Sequence, residues 1–269
     1  MIPLLLAALV GCGPTRTTPD VWEVYALDYG RSTFKRSKLV QGAKEGPREP
    51  FAWMAWLIVG PEHKILVDTG FSDTALAEEW KIQGHRLIPD LLADLEQGPE
   101  TITDVVITHA HWDHMGNVGA FPQSRVWIQE VEHTWATGRV SDAVPEKNGV
   151  RLADLKAVDG GSRLQKVKGD GEVAPGIRLH AGGGHTPGVQ WVEIDDGPRT
   201  LVLASDIAYL YENIERSIPP GGSRDPAADA TQIDAMKAVA SEVRLVIPGH
   251  DPAVFTRFVA VKPGVVRLR

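Results

Sequence analysis

The chain has 269 residues, 43% of them hydrophobic, and its 28 basic and 35 acidic side chains give a formal charge of −7. This composition is that of a folded protein with one or two domains, and it excludes an intrinsically disordered chain. The acidic balance argues against a nucleic-acid partner, and the single cysteine, Cys12, excludes an intramolecular disulfide and a cluster of zinc-bound thiolates.

The first 20 residues differ in composition from the rest of the chain. Residues 1–10 (MIPLLLAALV) are apolar, but a helix that spans a bilayer needs about 20 residues. The run leads into LVGC, which ends at Cys12 and resembles the bacterial lipobox, where the cysteine is lipidated and the residues before it are removed. We therefore predict a lipoprotein signal peptide over 1–11, lipidation at Cys12, a tether over 12–20, and a lipid-anchored protein of the cell envelope that faces the periplasm or the exterior. No Lys or Arg precedes the apolar run, which favours the alternative of an N-terminal strand or a wrongly assigned start, and then a cytoplasmic protein.

Strands and helices alternate over residues 21–269, which we predict to form a single domain. Apolar runs and alternating patterns predict strands at 21–28, 51–60, 64–68, 104–108, 125–129, 177–180, 190–194, 200–204 and 244–247. Ser72 is a good N-cap for a short helix through Trp80, and Asp225 is one for an amphipathic helix over 226–242. The segment 139–171 is polar and poorly patterned, so we predict an irregular insertion there.

The segment 109–114, HAHWDH, directly follows a predicted buried strand and carries four metal-ligating side chains. In an extended stretch alternate side chains share a face, so His109, His111 and Asp113 are expected to converge, while His114 reaches a second point nearby. Four ligands here, with others expected from distant segments, exceed one tetrahedral site and indicate two metals. Imidazole and carboxylate ligands suit zinc, with iron, cobalt or manganese as alternatives. The other interpretation is a His-rich polar surface loop, which would have to follow the buried strand by chance.

Three later segments each place one further ligand type at the end of a strand or in a glycine-rich turn. The turn GGGHTPG carries His185, and Asp206 and His250 each come shortly after a predicted strand. Each signal is weak alone, because a lone His after a strand is commonly structural and a strand-terminal Asp is commonly a cap. In this order after HxHxDH, they supply the ligands that a two-metal site still lacks.

Together these motifs resemble the metallo-β-lactamase superfamily. The similarity runs in order from ILVDTG (65–70) through the segment 109–114 to His185, Asp206 and His250, and covers most of the chain after the leader. It implies an α/β protein, an αββα sandwich with the metal site at one edge between the sheets. Because the matched motifs span both halves of the sequence, a single domain is expected.

The resemblance also implies a role for each ligand. The first of two divalent metal ions would be held by three imidazoles, those of His109, His111 and His185. The second would be held by Asp113, His114 and His250. Asp206 would bridge the two ions. Asp68, in the motif ILVDTG, would orient a ligand histidine from behind the metals; a capping role for Asp68 is the alternative.

A second pattern, DxxYxxEN over 206–213, narrows the choice of substrate. Two metals that share a water give hydroxide near neutral pH, so hydrolysis is the implied reaction. The pattern, with Pro219 and Asp225-Pro226 after it, resembles the N-acyl-homoserine lactonases of the superfamily. In that group the tyrosine matching Tyr209 hydrogen-bonds the substrate carbonyl; a packing role for Tyr209 is the alternative.

The resemblance leads to a specific hypothesis for the mechanism. A metal-bridging hydroxide would attack the lactone carbonyl, Tyr209 would stabilise the oxyanion, and Asp113 would carry the proton to the leaving oxygen. Trp112 would contact the acyl chain of this small-molecule substrate. Weaker candidates for that contact are three aromatic residues of one apolar strand, for which a core role is favoured: Phe51, Trp53 and Trp56.

Other functions are weighed against the same residues. A β-lactamase of the superfamily would carry Cys or Ser in place of Asp206, and nuclease members carry an inserted domain or basic surfaces. A thioesterase of the glyoxalase II type shares the ligands, but normally has a C-terminal helical extension, and 19 residues follow His250 here. A phosphotriesterase has identical ligands and stays open. A further alternative is a non-catalytic envelope lipoprotein that uses the fold as a binding module. It is disfavoured, because burying these His and Asp side chains without a metal would cost free energy. Lactonases of this kind are often dimers, so a homodimer is an expectation.

Overall fold

The computed structural model describes residues 22–141, 146–147 (backbone alone), 149–159 and 161–269. The predicted signal peptide, the tether and Cys12 lie outside the described residues. The strands are β1 (Glu23–Lys35), β2 (Arg48–Val59), β3 (Lys64–Val67), β4 (Asp104–Val106), β5 (Arg125–Gln129), β6 (Glu146–Lys147), β7 (Val150–Arg151), β8 (Leu164–Val167), β9 (Gly171–Ala174), β10 (Ile177–Ala181), β11 (Gln190–Asp195), β12 (Thr200–Leu203), β13 (Val246–Ile247), β14 (Val259–Lys262) and β15 (Val265–Arg267). The α-helices are α1 (Arg36–Leu39), α2 (Thr74–Glu79), α3 (Ile88–Asp94), α4 (Trp112–Met115), α5 (Glu130–Thr137), α6 (Leu152–Lys156), α7 (Tyr211–Arg216), α8 (Pro226–Val239) and α9 (Val254–Arg257).

Two sheets pack face to face. The larger has the strand order β14-β15-β1-β2-β3-β4-β5-β8, and the smaller has the order β13-β12-β11-β10-β9. Helices α3 and α5 bury their apolar residues against one face of the larger sheet, and α7 and α8 do so against the smaller sheet. The observed architecture is therefore the αββα sandwich that the sequence predicts.

Strand β2 shows why its sequence is apolar on both faces. Ala52, Met54, Trp56 and Ile58 point into the core between the two sheets. The alternate residues Phe51, Trp53, Ala55 and Leu57 point into the second core, beneath the helices. A strand covered on both sides reads as a continuous apolar run rather than an alternating one.

The polar motifs meet because parallel strands end at one edge of the sandwich. Strands β3 and β4 are parallel neighbours in the larger sheet, and β12 and β13 are parallel neighbours in the smaller one. The loops after β4 and β13 are each joined to a strand of the opposite sheet by a backbone hydrogen bond, from Gln190 N on β11 to Thr108 O at 2.9 Å and from Ala52 N on β2 to His250 O at 2.9 Å. The loop that carries residues 109–114 and the loop that carries His250 are thereby fixed at one edge of the sandwich.

Several predicted elements differ from the observed ones. Asp73, not Ser72, caps α2, because the Asp73 carboxylate accepts a hydrogen bond from Ala75 N at 2.9 Å. Helix α8 ends at Val239, three residues before the predicted end, and a 3₁₀ turn over Val243–Leu245 shortens the following strand to β13.

The segment 139–171 is less irregular than predicted. Its described part contains β6, β7, α6 and β8, which are too short for a clear periodic pattern. The prediction also lacked α3, α5, α7 and the hairpin of β14 and β15. In the described part of the chain, no helix is both long and apolar enough to cross a membrane.

Candidate metal centre

The loop after β4 changes conformation in the middle of the motif HAHWDH. His109 and His111 lie on its extended part, and His111 is the residue before α4, which starts at Trp112. The helical turn breaks the alternation, so Asp113 lies with His114 rather than with His109 and His111. The expectation from strand alternation is therefore wrong for Asp113, because the chain is helical there.

The first cluster contains four side chains whose ligand atoms all lie within 4.8 Å of one another: His109, His111, His185 and Asp206. The Nδ1 atom of His111 lies 2.9 Å from Nε2 of His109 and 3.1 Å from Nε2 of His185. The Oδ2 atom of Asp206 lies 3.2 Å from Nε2 of His185. Ligands of a tetrahedral zinc are about 3.3 Å apart, so the spacing of these atoms fits a single ion.

The second cluster contains Asp113, His114 and His250. The Nε2 atom of His114 lies 3.1 Å from Oδ2 of Asp113 and 3.2 Å from Oδ1 of Asp206, and Nε2 of His250 lies 2.8 Å from the same Oδ1. Asp206 thus directs one carboxylate oxygen to each cluster, which is the arrangement a bridging ligand requires. The structure brings together all seven residues predicted as ligands of the two metals.

Asp68 lies directly behind His114. Its Oδ2 accepts hydrogen bonds from His114 Nδ1 and from the Thr108 hydroxyl, both at 2.8 Å, and its Oδ1 accepts one from Thr108 N at 2.8 Å. The backbone of Asp68 is left-handed, with φ of 63°, a conformation that Asp and Asn tolerate better than most residues. With Nδ1 fixed in this way, the buried Nε2 of His114 faces the carboxylates of Asp113 and Asp206 in the cluster.

The protonation of the histidines indicates what the site would bind. Burial, followed by the charge of His114, lowers the pKa of His109 well below its usual value, and burial with the neighbouring His185 lowers the pKa of His111 to about 3. Burial also lowers the pKa of His185. These three imidazoles are neutral, which is the form that binds a metal.

The pKa of His114 is shifted in the opposite direction. Burial alone would lower its pKa, but the carboxylates of Asp113, Asp206 and Asp68 raise it well above the usual value. Buried carboxylates therefore surround one imidazole that carries the compensating positive charge. A site that needs cations and offers neutral imidazoles suits divalent metal ions.

An open cavity of about 1010 Å³ leads from both clusters to the surface. Trp112, the predicted contact of the acyl chain, lines it, and so do Phe51 and Trp53, which also belong to the core beneath the helices. Trp56 points to the opposite face of β2 and is fully buried, as expected. Tyr209 also lines the cavity, with its ring centroid 5.1 Å from that of His250.

Two buried acidic residues outside the predicted set hold the ligand loops in place. Glu132 on α5 accepts hydrogen bonds from Ala110 N and Gly188 N, both at 2.9 Å. Asp229 on α8 accepts one from His185 N at 3.1 Å. A signal for Asp229 exists in the sequence, because it shares the apolar face of its helix with Ile233 and Met236.

Comparison with known proteins agrees with the geometry. Residues 50–250 match the model of the metallo-beta-lactamase superfamily. The chain belongs to the metallo-β-lactamase superfamily. An N-acyl homoserine lactonase of Bacillus cereus is 27% identical over 245 residues, which are 86% of this chain and 94% of that enzyme. One from Bacillus thuringiensis subsp. kurstaki is 25% identical over 246 residues, with the same shares.

Solved structures agree on the fold. An N-acyl homoserine lactone hydrolase with the product N-hexanoyl-L-homoserine at its catalytic metal centre superposes with a TM-score of 0.74, at 23% identity, over 93% of this chain and 100% of that one. The superfamily and the relatives over most of the chain confirm the prediction of a metal-dependent hydrolase.

Proposed function

We propose that this hydrolase opens the lactone ring of N-acyl-homoserine lactones, with two divalent metal ions, expected to be zinc, held by the two clusters. The observation that carries the proposal is the position of Tyr209, which lies between the shared ligand Asp206 and the aromatic cavity. The lactonases named above support it, since they are similar over 86% of the chain.

The seven clustered side chains would hold the metals, and Asp206 would contact both of them. When bound, the ions would supply an activated water and would polarise the substrate carbonyl. The chain's own contribution is to hold the ligand atoms at the required spacing and to exclude bulk water with the aromatic residues around them.

Tyr209 is suited to donate a hydrogen bond to the oxyanion. Burial, and after it the negative charges of Asp206 and Asp113, raise the pKa of the Tyr209 hydroxyl well above its usual value. The hydroxyl therefore stays protonated at any physiological pH. A fixed donor of this kind stabilises the negative charge that develops on the carbonyl oxygen.

Asp113 is suited to accept and return a proton. Burial opposes its ionisation, but the charge of His114 and its hydrogen bond hold the pKa of Asp113 below its usual value. The backbone carbonyl of Asp113 accepts a hydrogen bond from the Tyr29 hydroxyl at 2.7 Å, which fixes the position of the residue. An ionised carboxylate in a fixed position can carry a proton to the leaving oxygen of the ring.

The apolar acyl chain would lie along the aromatic wall of the cavity. The ring centroids of Trp112 and Trp53 are 5.4 Å apart, and those of Phe51 and Trp53 are 5.2 Å apart, so the wall is continuous. Each methylene that leaves water against such a wall contributes about 0.8 kcal/mol.

The test is a substrate panel with purified, zinc-loaded protein. Acyl-homoserine lactones, thioesters and phosphotriesters are compared by acid release or chromophore release, with and without a chelator, and the metal content is measured. We expect about two metals per chain, lactone opening that the chelator abolishes, and recovery when zinc is returned.

Three outcomes would contradict the proposal. Absence of ring opening by protein that contains two metals per chain excludes the lactonase. Faster turnover of a thioester or a phosphotriester assigns the site to that reaction instead. Protein that binds no metal and turns over none of the substrates is the non-catalytic binding module.

A further inference from the structure

The outer mouth of the cavity is strongly basic. Apart from the metal clusters, its charged lining consists of one acidic residue, Glu79, and five basic residues: Arg31, Lys35, Lys38, Arg48 and Lys81. The chain as a whole carries a charge of −7. Positive charge is therefore concentrated at the entrance to the cavity, against the average of the molecule.

Three of these five charges are free to act on a ligand. Arg31 donates to the Asp28 carboxylate at 2.6 Å, and Lys35 lies 3.2 Å from Glu45, so both are neutralised. By contrast, the exposed side chains of Lys38, Arg48 and Lys81 form no ion pair with any residue that the structure describes.

Arg48 is partly fixed in place. Its guanidinium donates to the Thr33 hydroxyl at 2.9 Å and to the Thr33 carbonyl, which are both uncharged acceptors. These bonds orient the group without cancelling its charge. We refer to Lys38, Arg48 and Lys81 together as the basic rim.

Two residues of the basic rim, Arg48 and Lys81, lie beyond the aromatic wall, as seen from the metal clusters, while Lys38 lines the same cavity. Ala52 on β2 is at the metal end, where its carbonyl accepts a hydrogen bond from His250 Nδ1 at 2.8 Å. Arg48 is four residues earlier on the same strand, which places its backbone about 14 Å away. Trp80 precedes Lys81 and stacks on Phe34, with ring centroids 6.0 Å apart, so the aromatic wall leads to the rim.

We infer that the preferred substrates are lactones whose acyl group ends in a carboxylate. This inference rests on the proposed lactonase function. With the ring at the metals and the chain along the aromatic wall, the terminal carboxylate would meet the basic rim. An extended chain of about eleven carbons spans the distance of about 14 Å between Ala52 and Arg48, because each carbon–carbon bond of about 1.5 Å advances the zigzag by less than its length. Since the side chains of the rim can reach inward, a chain of about six carbons is also long enough.

The experiment compares two lactones of equal chain length, one ending in a methyl group and one in a carboxylate. We expect kcat/KM to be about tenfold higher for the carboxylate substrate at low ionic strength, since three exposed ion pairs contribute about two- to threefold each. At 0.5 M NaCl the preference should fall to about twofold or less, because salt screens exposed charges.

Variants test whether the basic rim causes the preference for the carboxylate substrate. The triple variant Lys38→Met, Arg48→Met and Lys81→Met should lower the preference ratio to about one. Lys166→Met, an exposed lysine on β8 at the far edge of the larger sheet, removes a similar charge and should leave the ratio as in the unmodified protein. A preference for the methyl-ended lactone, or a ratio that the triple variant does not change, would overturn the inference.

A binding measurement separates this inference from the proposed function. If the protein opens neither lactone, decanedioate and decanoate are titrated while the fluorescence of the cavity tryptophans is recorded. Both ligands offer one carboxylate to the metal centre, and decanedioate alone offers a second one to the rim. Tighter binding of decanedioate, lost in the triple variant, supports the basic rim although the lactonase proposal has failed; equal binding of the two overturns it.

Discussion

At the residue scale, the hydroxyl of Tyr209 is needed for a catalytic role of this residue but not for a role in packing. We predict that Tyr209→Phe lowers kcat by about 10²-fold, the usual effect of removing one oxyanion donor. The metal content should stay at two per chain, because the aromatic ring and its packing are kept. Steady-state kinetics and metal analysis give both numbers.

Tyr211→Phe is the matched control for that variant. Tyr211 is buried under the Arg257 guanidinium, and its hydroxyl has no hydrogen-bond partner among the described residues. Its removal should leave kcat near the starting value. Equal kcat for Tyr209→Phe and the unmodified protein would remove Tyr209 from the mechanism.

Asp68 tests the support behind the metal ligands. Asp68→Asn tolerates the left-handed backbone, but it keeps only one acceptor oxygen, which cannot serve both Thr108 N and His114 Nδ1. We predict that the affinity for the metal held by His114 falls about 10–100-fold while circular dichroism is unchanged. Competition with a fluorescent chelator measures this affinity.

The matched control is Asp159→Asn, which changes the carboxylate that contacts His133 at 2.6 Å, outside the metal clusters. This variant should bind metal as tightly as the unmodified protein. Equal losses in both variants would show that Asp68 acts through general stability instead.

Asp229 is expected to make the stability of the folded protein depend on pH. Burial raises the pKa of Asp229 to about 7; hydrogen bonds from Ser223 and His185 N oppose this rise and the charge of Asp206 adds to it. The folded protein therefore binds this proton more tightly than the unfolded chain does. The contribution to stability is complete below about pH 4 and is lost as the pH rises through about 7.

Asp229→Asn keeps the acceptor for His185 N and cannot ionise. Between pH 5 and pH 8, the free energy of unfolding of the unmodified protein should fall by about 2–3 kcal/mol relative to that of the variant. Urea denaturation of both proteins at each pH measures the difference. Parallel stability curves would show that the carboxyl of Asp229 does not titrate in this range.

At the scale of elements, helix α5 joins two ligand loops that are far apart in the sequence. The two oxygens of Glu132 accept from Ala110 N, in the loop after β4, and from Gly188 N, in the loop before β11. In Glu132→Gln one oxygen becomes an amide nitrogen that cannot accept, so one buried N–H loses its partner. We predict a loss of about 1–3 kcal/mol in the free energy of unfolding and weaker metal binding.

Glu130→Gln on the same helix is the control, since Glu130 is partly exposed and contacts Lys168 at 3.3 Å. Chemical denaturation and metal titration of the two variants give the comparison. If Glu132→Gln is as stable as Glu130→Gln, the link between the loops contributes nothing measurable.

The elements also show where sequence patterns are reliable. The long apolar strand β2 and helix α8 with its Asp225 cap were predicted because each carries many consistent signals. Short elements such as α3 and the hairpin of β14 and β15 offer few residues per pattern. The start of α4 was missed for a further reason: Trp112 begins a helical turn directly after an extended stretch, and local alternation does not reveal that change.

At the scale of the whole molecule, the location of the protein depends on residues outside those described. The proposal of a lipid anchor rests on the sequence around Cys12. Cys12→Ser, expressed in a bacterium that processes lipoproteins, should move the protein from the membrane fraction to the soluble fraction. Fractionation and metabolic labelling with a fatty acid measure this change, and membrane association that is unaffected by the variant would contradict the anchor. The homodimer also stays a prediction.

The sequence by itself determined the fold, the superfamily and the identity of the clustered ligands, because these depend on local motifs and on their order along the chain. The tertiary structure decided the helical turn that places Asp113 beside His114, where strand alternation alone predicts otherwise, and it gave the distances by which Asp206 directs one oxygen to each cluster. It also showed the hydrogen bonds of Glu132 and Asp229 to the ligand loops, and the basic rim at the mouth of the cavity. These features join residues that are tens to hundreds of positions apart, and such distances are fixed only when the sheets pack and bring the loops to one edge.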